Sequence, residues 1–201
     1  TIMAATASPY GLKAVNHLGG TPYAGSTRMY PIASGYANNI YNGSIVSVVA
    51  AGTIVFTAAV GTAAAPFQAG TVGVFVGCTF TDPSTGNVTF RQNYPTGTVA
   101  ADTLAYVIDD PAVIFQVQAN GAVTAVDLGQ CCSIIAQTTN TGNLTSGNST
   151  TAANAATTVA ADAFKIVGFV DSPTSTVGDA FTDLLVKFNP AAHAYTSGTG
   201  I

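Results

Sequence analysis

Apolar and polar positions alternate over short runs, and glycine- or proline-rich turns separate those runs. A period of two is the signature of half-buried strands, not helices. Ile45–Val49 and Thr53–Ala58 read as a hairpin across Ala50-Ala51-Gly52. Val72–Thr81 and Asn87–Gln92 read as a second hairpin. Its loop, Asp82-Pro83-Ser84-Thr85-Gly86, holds a proline to preset φ and a glycine to accept positive φ. In the first arm of that hairpin Val72, Val74 and Val76 alternate with Gly73, Phe75 and Gly77, which predicts one row of valines on one face.

Strands are expected next at Thr103–Ile108 and Val113–Gln118, with a turn at Asp109-Asp110-Pro111 between them. An Asn120-Gly121 turn leads into Ala122–Val126, and Asn-Gly between apolar runs is a strong hairpin signal. Further strands are expected at Cys132–Gln137, Phe164–Val170 and Thr182–Phe188, and an extended tail from Ala191 to Ile201. Residues 138–161 are a low-complexity stretch expected as a surface loop rich in side-chain hydrogen bonds. Residues 1–30 show little periodicity and are broken by Pro9, Gly11, Gly19, Gly20, Pro22 and Gly25, so they read as an extended arm. The expected fold is mostly β: a small antiparallel barrel or a sandwich, formed by a single domain over 31–201.

Composition supports strands. Valine outnumbers leucine, glutamate is absent, and the strong helix formers other than alanine are scarce. Charge then sharpens the picture. Only 7% of residues are charged, the net charge is −4, and Met29 to Thr81 carries no Asp, Glu, Lys or Arg. A free monomer normally covers itself with roughly a quarter charged residues, so neighbours are expected to cover part of this surface. No basic stripe exists, which argues against direct nucleic-acid binding. The apolar stretch Ile45–Phe67 is long enough to span a bilayer, but its Gly52, Gly61, Pro66 and hydroxyl residues favour two strands, and no membrane contact is expected. The N-terminus has no basic, apolar leader, and its Thr1 reads as the residue left by removal of an initiator Met, so no secretory signal is expected, and cysteines expected as buried thiols fit synthesis in a reducing cytoplasm.

Candidate chemistry is sparse. Cys78, Cys131 and Cys132 are expected as buried free thiols, with a bridge from Cys78 to either of the others as the alternative. His17 and His193 are isolated and expected at the surface, so neither metal nor cofactor is expected. Asp109-Asp110 is the one acidic pair and reads as a turn former, with Asp110 accepting backbone amides. Neither a Gly-x-Ser-x-Gly elbow nor a phosphate loop occurs. The Asn-x-Ser/Thr triplets at Asn42, Asn87, Asn143 and Asn148 read as chance in a threonine-rich chain. The arm concentrates large side chains suited to contact. Tyr10, Leu12, His17, Tyr23, Arg28 and Tyr30 are its expected interface residues, the alternative being that the rings pack on the chain's own body.

Three blocks carry a resemblance: PIASGYANNIYNGSIVSVVAAGTI (31–54), GVFVGCTFTDPSTGNVTFRQNYPTGT (73–98) with AYVIDDPAVIFQVQANG (105–121), and FKIVGFVDSPTSTVGDAFTDLLVKFNPAAHAY (164–195). Together with SPYGLKAVNHLGG (8–20) they resemble small virion structural proteins encoded beside the major capsid gene of tailed bacteriophages. The resemblance implies a capsid cement, or decoration, protein with a β-tulip-like barrel, made in the cytoplasm of a bacterial host and placed on the outer surface of the virion head. It also implies a homotrimer whose partner is the major capsid protein, and no catalytic residues. The arm is then expected to reach neighbouring subunits. A tail or receptor-binding module, the major capsid protein itself and a β-fold hydrolase are the rival readings.

Overall fold

The computed structural model describes residues 6–135, 141–155, 161–198 and 200. It is mostly β, with antiparallel sheets in a sandwich-like layout and no closed barrel. The strands are β1 (Lys13–His17), β2 (Arg28–Pro31), β3 (Ile45–Val48), β4 (Ile54–Phe56), β5 (Thr71–Thr81), β6 (Val88–Arg91), β7 (Leu104–Ile108), β8 (Val113–Gln118), β9 (Cys131–Cys132), β10 (Ile134–Ile135), β11 (Ala152–Ala153), β12 (Phe164–Val170) and β13 (Asp183–Phe188). One sheet runs β1-β8-β13-β12-β9. The other runs β2-β7-β5-β3-β4, with β6 also on β5, and β10 pairs with β11 alone. A single parallel bridge, Ile32 to Ile54, draws the two ends of the second sheet together and curls it.

Two apolar cores result. The first lies between the sheets and holds Phe67, Val74, Phe115, Phe164, Leu184 and Phe188. Phe115 and Phe188 meet edge to face there, 5.9 Å apart at 89°, a geometry favoured by the ring quadrupole. The second fills the concave side of the curled sheet with Ile40, Val46, Ile54, Phe75, Cys78 and Tyr94. Strand β5 serves both cores and is buried on both faces over its first half, hence its nearly continuous apolar run.

The two expected hairpins form, β3–β4 and β5–β6. Several other expectations need correction. The valine row is split: Val72 packs with Phe75 in the second core, Val74 in the first. Val72 is an extra residue opposite Val46/Ser47, and Val76 an extra residue opposite Tyr106/Val107. Each is a β-bulge, and a bulge moves the following side chains to the other face. Ala122–Val126 is not a strand; Asn120 instead ties to the low-complexity segment, donating its amide to Ala153 O and accepting from Ala155 N at Oδ1. Nor is that segment only a surface loop. Ser149, Thr151, Ala152 and Ala153 are buried, and β11 pairs with β10. Its residues 138–140 and 156–160, and the expected strand end at 136–137, lie outside the described residues.

The segment expected as an arm is built into the body. Strand β1 pairs with β8 in the first sheet and β2 with β7 in the second. Leu12 is 3% exposed, inside the first core. Gly11 and Gly43 meet backbone to backbone, where a Cβ on Gly43 would lie 2.9 Å from Leu12 N. The signal was hidden because β1 and β2 find their partners far along the chain, and a strand of this length shows only two or three alternations. The tail also folds back. His193 is 1% exposed, not at the surface, and Ala194 N donates to Thr71 O.

Candidate interaction surface

The six residues expected at an interface fall into two clusters and one core position. Leu12 is in the core. Tyr10 lies on the first sheet, its hydroxyl donating to Asp183 Oδ1 at 3.1 Å, while Gln116 Nε2 donates to the other oxygen. Burial, then the Asp183 charge, raises the Tyr10 phenol above its ordinary range. Tyr10 and Tyr23 line an open groove of about 560 Å³ with Val76, Ile108, Asn42 and Gln116.

The other residues gather around Asp109-Asp110, where the chain crosses from β7 in one sheet to β8 in the other. Asp109 Oδ2 accepts from Arg28 Nε at 3.0 Å and from Tyr30 Oη at 2.8 Å. Tyr195 joins them: its ring lies under the Arg28 guanidinium at 5.4 Å, and its hydroxyl bonds to that of Tyr30. Asp109 is the main cause that raises the Arg28 pKa, and burial leads the rise at Tyr30. Asp110 takes a separate set of partners. Its Oδ1 accepts from Ala112 N at 2.8 Å, as expected of a turn, and its Oδ2 lies 3.4 Å from His17 Nδ1. The adjacent carboxylates thus serve opposite sides, and each is engaged by its own chain. Tyr195 was not legible as a partner, because only the folded-back tail brings it there.

No group of three or more His, Cys, Asp or Glu able to hold a metal occurs among the described residues. None of the three cysteines is bridged to another, and all are buried. Burial pushes the Cys78 and Cys132 thiols up to about 12, the reverse of what a nucleophilic thiolate requires. No helix of the described residues is long and apolar enough to cross a membrane.

The convex face of the second sheet is the more telling surface. Ile108, Val74 and Val76 at its upper end face the first core. Below them the first sheet no longer covers it. Directly opposed residues of an antiparallel pair share a face, so the pairings Met29–Tyr106–Gly77 and Pro31–Leu104–Thr79–Phe90 define two rows, and Thr81–Val88 a third. None of these side chains is charged. Met29 is 57% exposed, Phe90 58% and Val88 77%. Phe90 lies over Gly77, where a Cβ would meet its ring at 2.7 Å, and it contacts the Tyr106 ring 6.0 Å away. The glycine makes room for a large apolar ring that still leaves most of itself in water. One clue was present in the sequence. In β7 the small Ala105 alternates with Leu104 and Tyr106, so bulk points away from the concave core.

Compared with protein-family models, with curated proteins and with solved structures, the chain matches none.

Proposed function

We propose that this is a structural protein of a phage virion that binds the outside of the head and stabilises it by bridging major capsid protein subunits. The observation that supports this reading most is the uncharged convex face carrying Met29, Leu104, Phe90 and Val88. Contiguous apolar surface of this kind marks a contact with another macromolecule. The carboxylates of Asp109 and Asp110 are already engaged by Arg28, Tyr30, His17 and the Ala112 amide, which leaves a mechanical role as the simpler one. A protein that binds the assembled shell and not its free subunits shifts the equilibrium toward the shell by mass action. As a tile it touches the shell and also its own copies, and the expected homotrimer belongs to the same proposal.

The test is occupancy on heads purified without the protein. Phe90→Asp combined with Met29→Asp should abolish binding while leaving the melting temperature within a few degrees of wild type, because both side chains are surface groups. Full occupancy by that variant overturns the reading of this face. Quantitative mass spectrometry of virions separates the rivals: many copies per head fit a tile, a few fit a tail module, and none overturns the proposal.

A further inference from the structure

The geometry points to β6 as an edge at which a second copy of this chain adds its own β6, antiparallel, across a two-fold axis through Thr89. This inference concerns self-association and stands apart from capsid binding.

Strand β6 pairs only with β5, and no other described strand or bridge covers its outer side. The other edges are guarded. Thr21 and Tyr23 hydrogen-bond along the outside of β1, through His17 N to Thr21 O and Tyr23 N to Val15 O. Strand β2 carries Arg28 and Pro31, β4 meets Ile32, and β9 is two residues long. Natural edges are blunted by prolines, inward charges or cover. In β6, Val-Thr-Phe-Arg has no proline, and its two apolar side chains are among the most exposed of the chain.

The hydrogen-bond phase fixes which groups are free. Asp82 N donates to Asn87 O, so those two residues form a bonded pair. Bonded and non-bonded pairs alternate along an antiparallel ladder. Thr89 and Arg91 therefore turn their N–H and C=O toward β5, and Val88 and Phe90 turn theirs outward. Opposed residues share a face, so a two-fold through Thr89 sets Val88 against Phe90 of the second copy, both on the convex face. Each such pair exchanges both backbone bonds, and an aromatic opposite a β-branched residue is a favoured cross-strand pair. Thr89 meets its own copy in the closer, non-bonded pair.

Charge selects this orientation and this partner. The cation Arg91 closes one end of β6. At the other end stand Asp82, which lines the same concave-side groove as Arg91, and Asp102, which accepts from Thr81 opposite Val88. Arg91 already contributes to the lowering of the Asp82 pKa, behind the Ser84 hydrogen bonds. Antiparallel pairing brings Arg91 opposite Asn87 of the second copy, beside that copy's Asp82, twice per dimer. Parallel pairing would set the two arginines together. The two convex faces then merge into one wider apolar surface. Such an isologous contact leaves other surfaces for a heterologous trimer.

The full chain is tested by sedimentation equilibrium with three variants. Thr89→Cys should yield a disulfide-linked dimer under mild oxidation, whereas Ala64→Cys on an exposed loop should not; the native thiols are buried. Val88→Pro deletes an outward N–H that β5 does not use, so it should give a monomer with an unchanged circular dichroism spectrum. Dimer in the wild type, cross-linking at residue 89 and its loss in Val88→Pro are the expected results. A wild type that stays monomeric at every concentration overturns the proposal. So does a dimer that survives Val88→Pro, or absence of cross-linking by folded Thr89→Cys. Failure here would leave capsid occupancy by wild type and by Phe90→Asp/Met29→Asp unaffected, so the two readings fail separately.

Discussion

At the scale of single residues His193 is the titrating group that bears on stability near neutral pH. The side chain is 1% exposed and packed edge-on to Phe188 with ring centroids 5.4 Å apart. Tyr195 N donates to Nδ1 at 3.2 Å, so the neutral ring carries its proton on Nε2. That atom is buried without a hydrogen bond of normal geometry. Burial lowers the His193 pKa below its ordinary 6.5, only partly offset by the Val72 backbone and the Asp109 and Asp110 charges. The unfolded chain therefore binds a proton near pH 6.5 that the folded chain refuses. Stability is full above that pH and falls as pH drops toward the lowered folded value, by no more than about 1.4 kcal/mol per pH unit. Asp82 and Asp102 also have lowered pKa values, from hydrogen bonds to Ser84 and Thr81, but these act only below about pH 4. Urea unfolding at pH 7.5, 6.0 and 5.0 should show the decline, and His193→Leu should flatten it. An equal slope in the variant would remove His193 as the cause.

At the scale of elements, what was legible depended on how local the pairing is. The β3–β4 and β5–β6 hairpins form as expected because each turn carries its own glycine, Gly52 at φ 75° and Gly86 at φ 71°. The alternation inside β5 misled because bulges at Val72 and Val76 shift its phase twice, and a bulge leaves no trace in a period-two pattern. Gly73 between them is the one visible mark. Its φ is 150°, and a Cβ there would lie 1.9 Å from Ile108 O, where β5 passes the end of β7. Gly73→Ala combines a strained backbone with a clash against a carbonyl, and should cost about 3 kcal/mol or more. Gly52→Ala, in an open turn, meets no atom within 4 Å and keeps only the cost of its positive φ, about 1 kcal/mol. Chemical denaturation of the two variants checks the order; equal losses would show that the crowding at Gly73 relaxes away. The convex face was only half visible for the same reason: Val88 and Phe90 alternate plainly, but which face they share with Met29 depends on registers set by β7.

At the scale of the whole molecule the first thirty residues decide how the two sheets are held. Between β1 and β2 the chain leaves one sheet and enters the other, and β7 to β8 makes a second crossing at Asp109-Asp110. The two crossings touch. His17 at the end of β1 reaches Asp110, and Arg28 at the start of β2 reaches Asp109. No local pattern announces such a junction, since its four residues come from segments more than eighty positions apart. A consequence follows for any truncation meant to expose an arm. Removing residues 1–25 deletes β1, uncovers the edge of β8 and takes Leu12 from the core, a side chain worth about 2–5 kcal/mol by itself. That is a large part of the stability of an ordinary domain. The truncated chain should lose its cooperative melting transition and its near-ultraviolet dichroism, and any loss of head binding would then report unfolding and not docking. Removing only residues 1–7 spares Tyr10, Leu12 and β1 and should keep a sharp transition, lowered by the loss of the Thr6 contact with Gln118. If the longer truncation instead melts like the full chain, β1 is dispensable to the sandwich and the first segment is an arm after all.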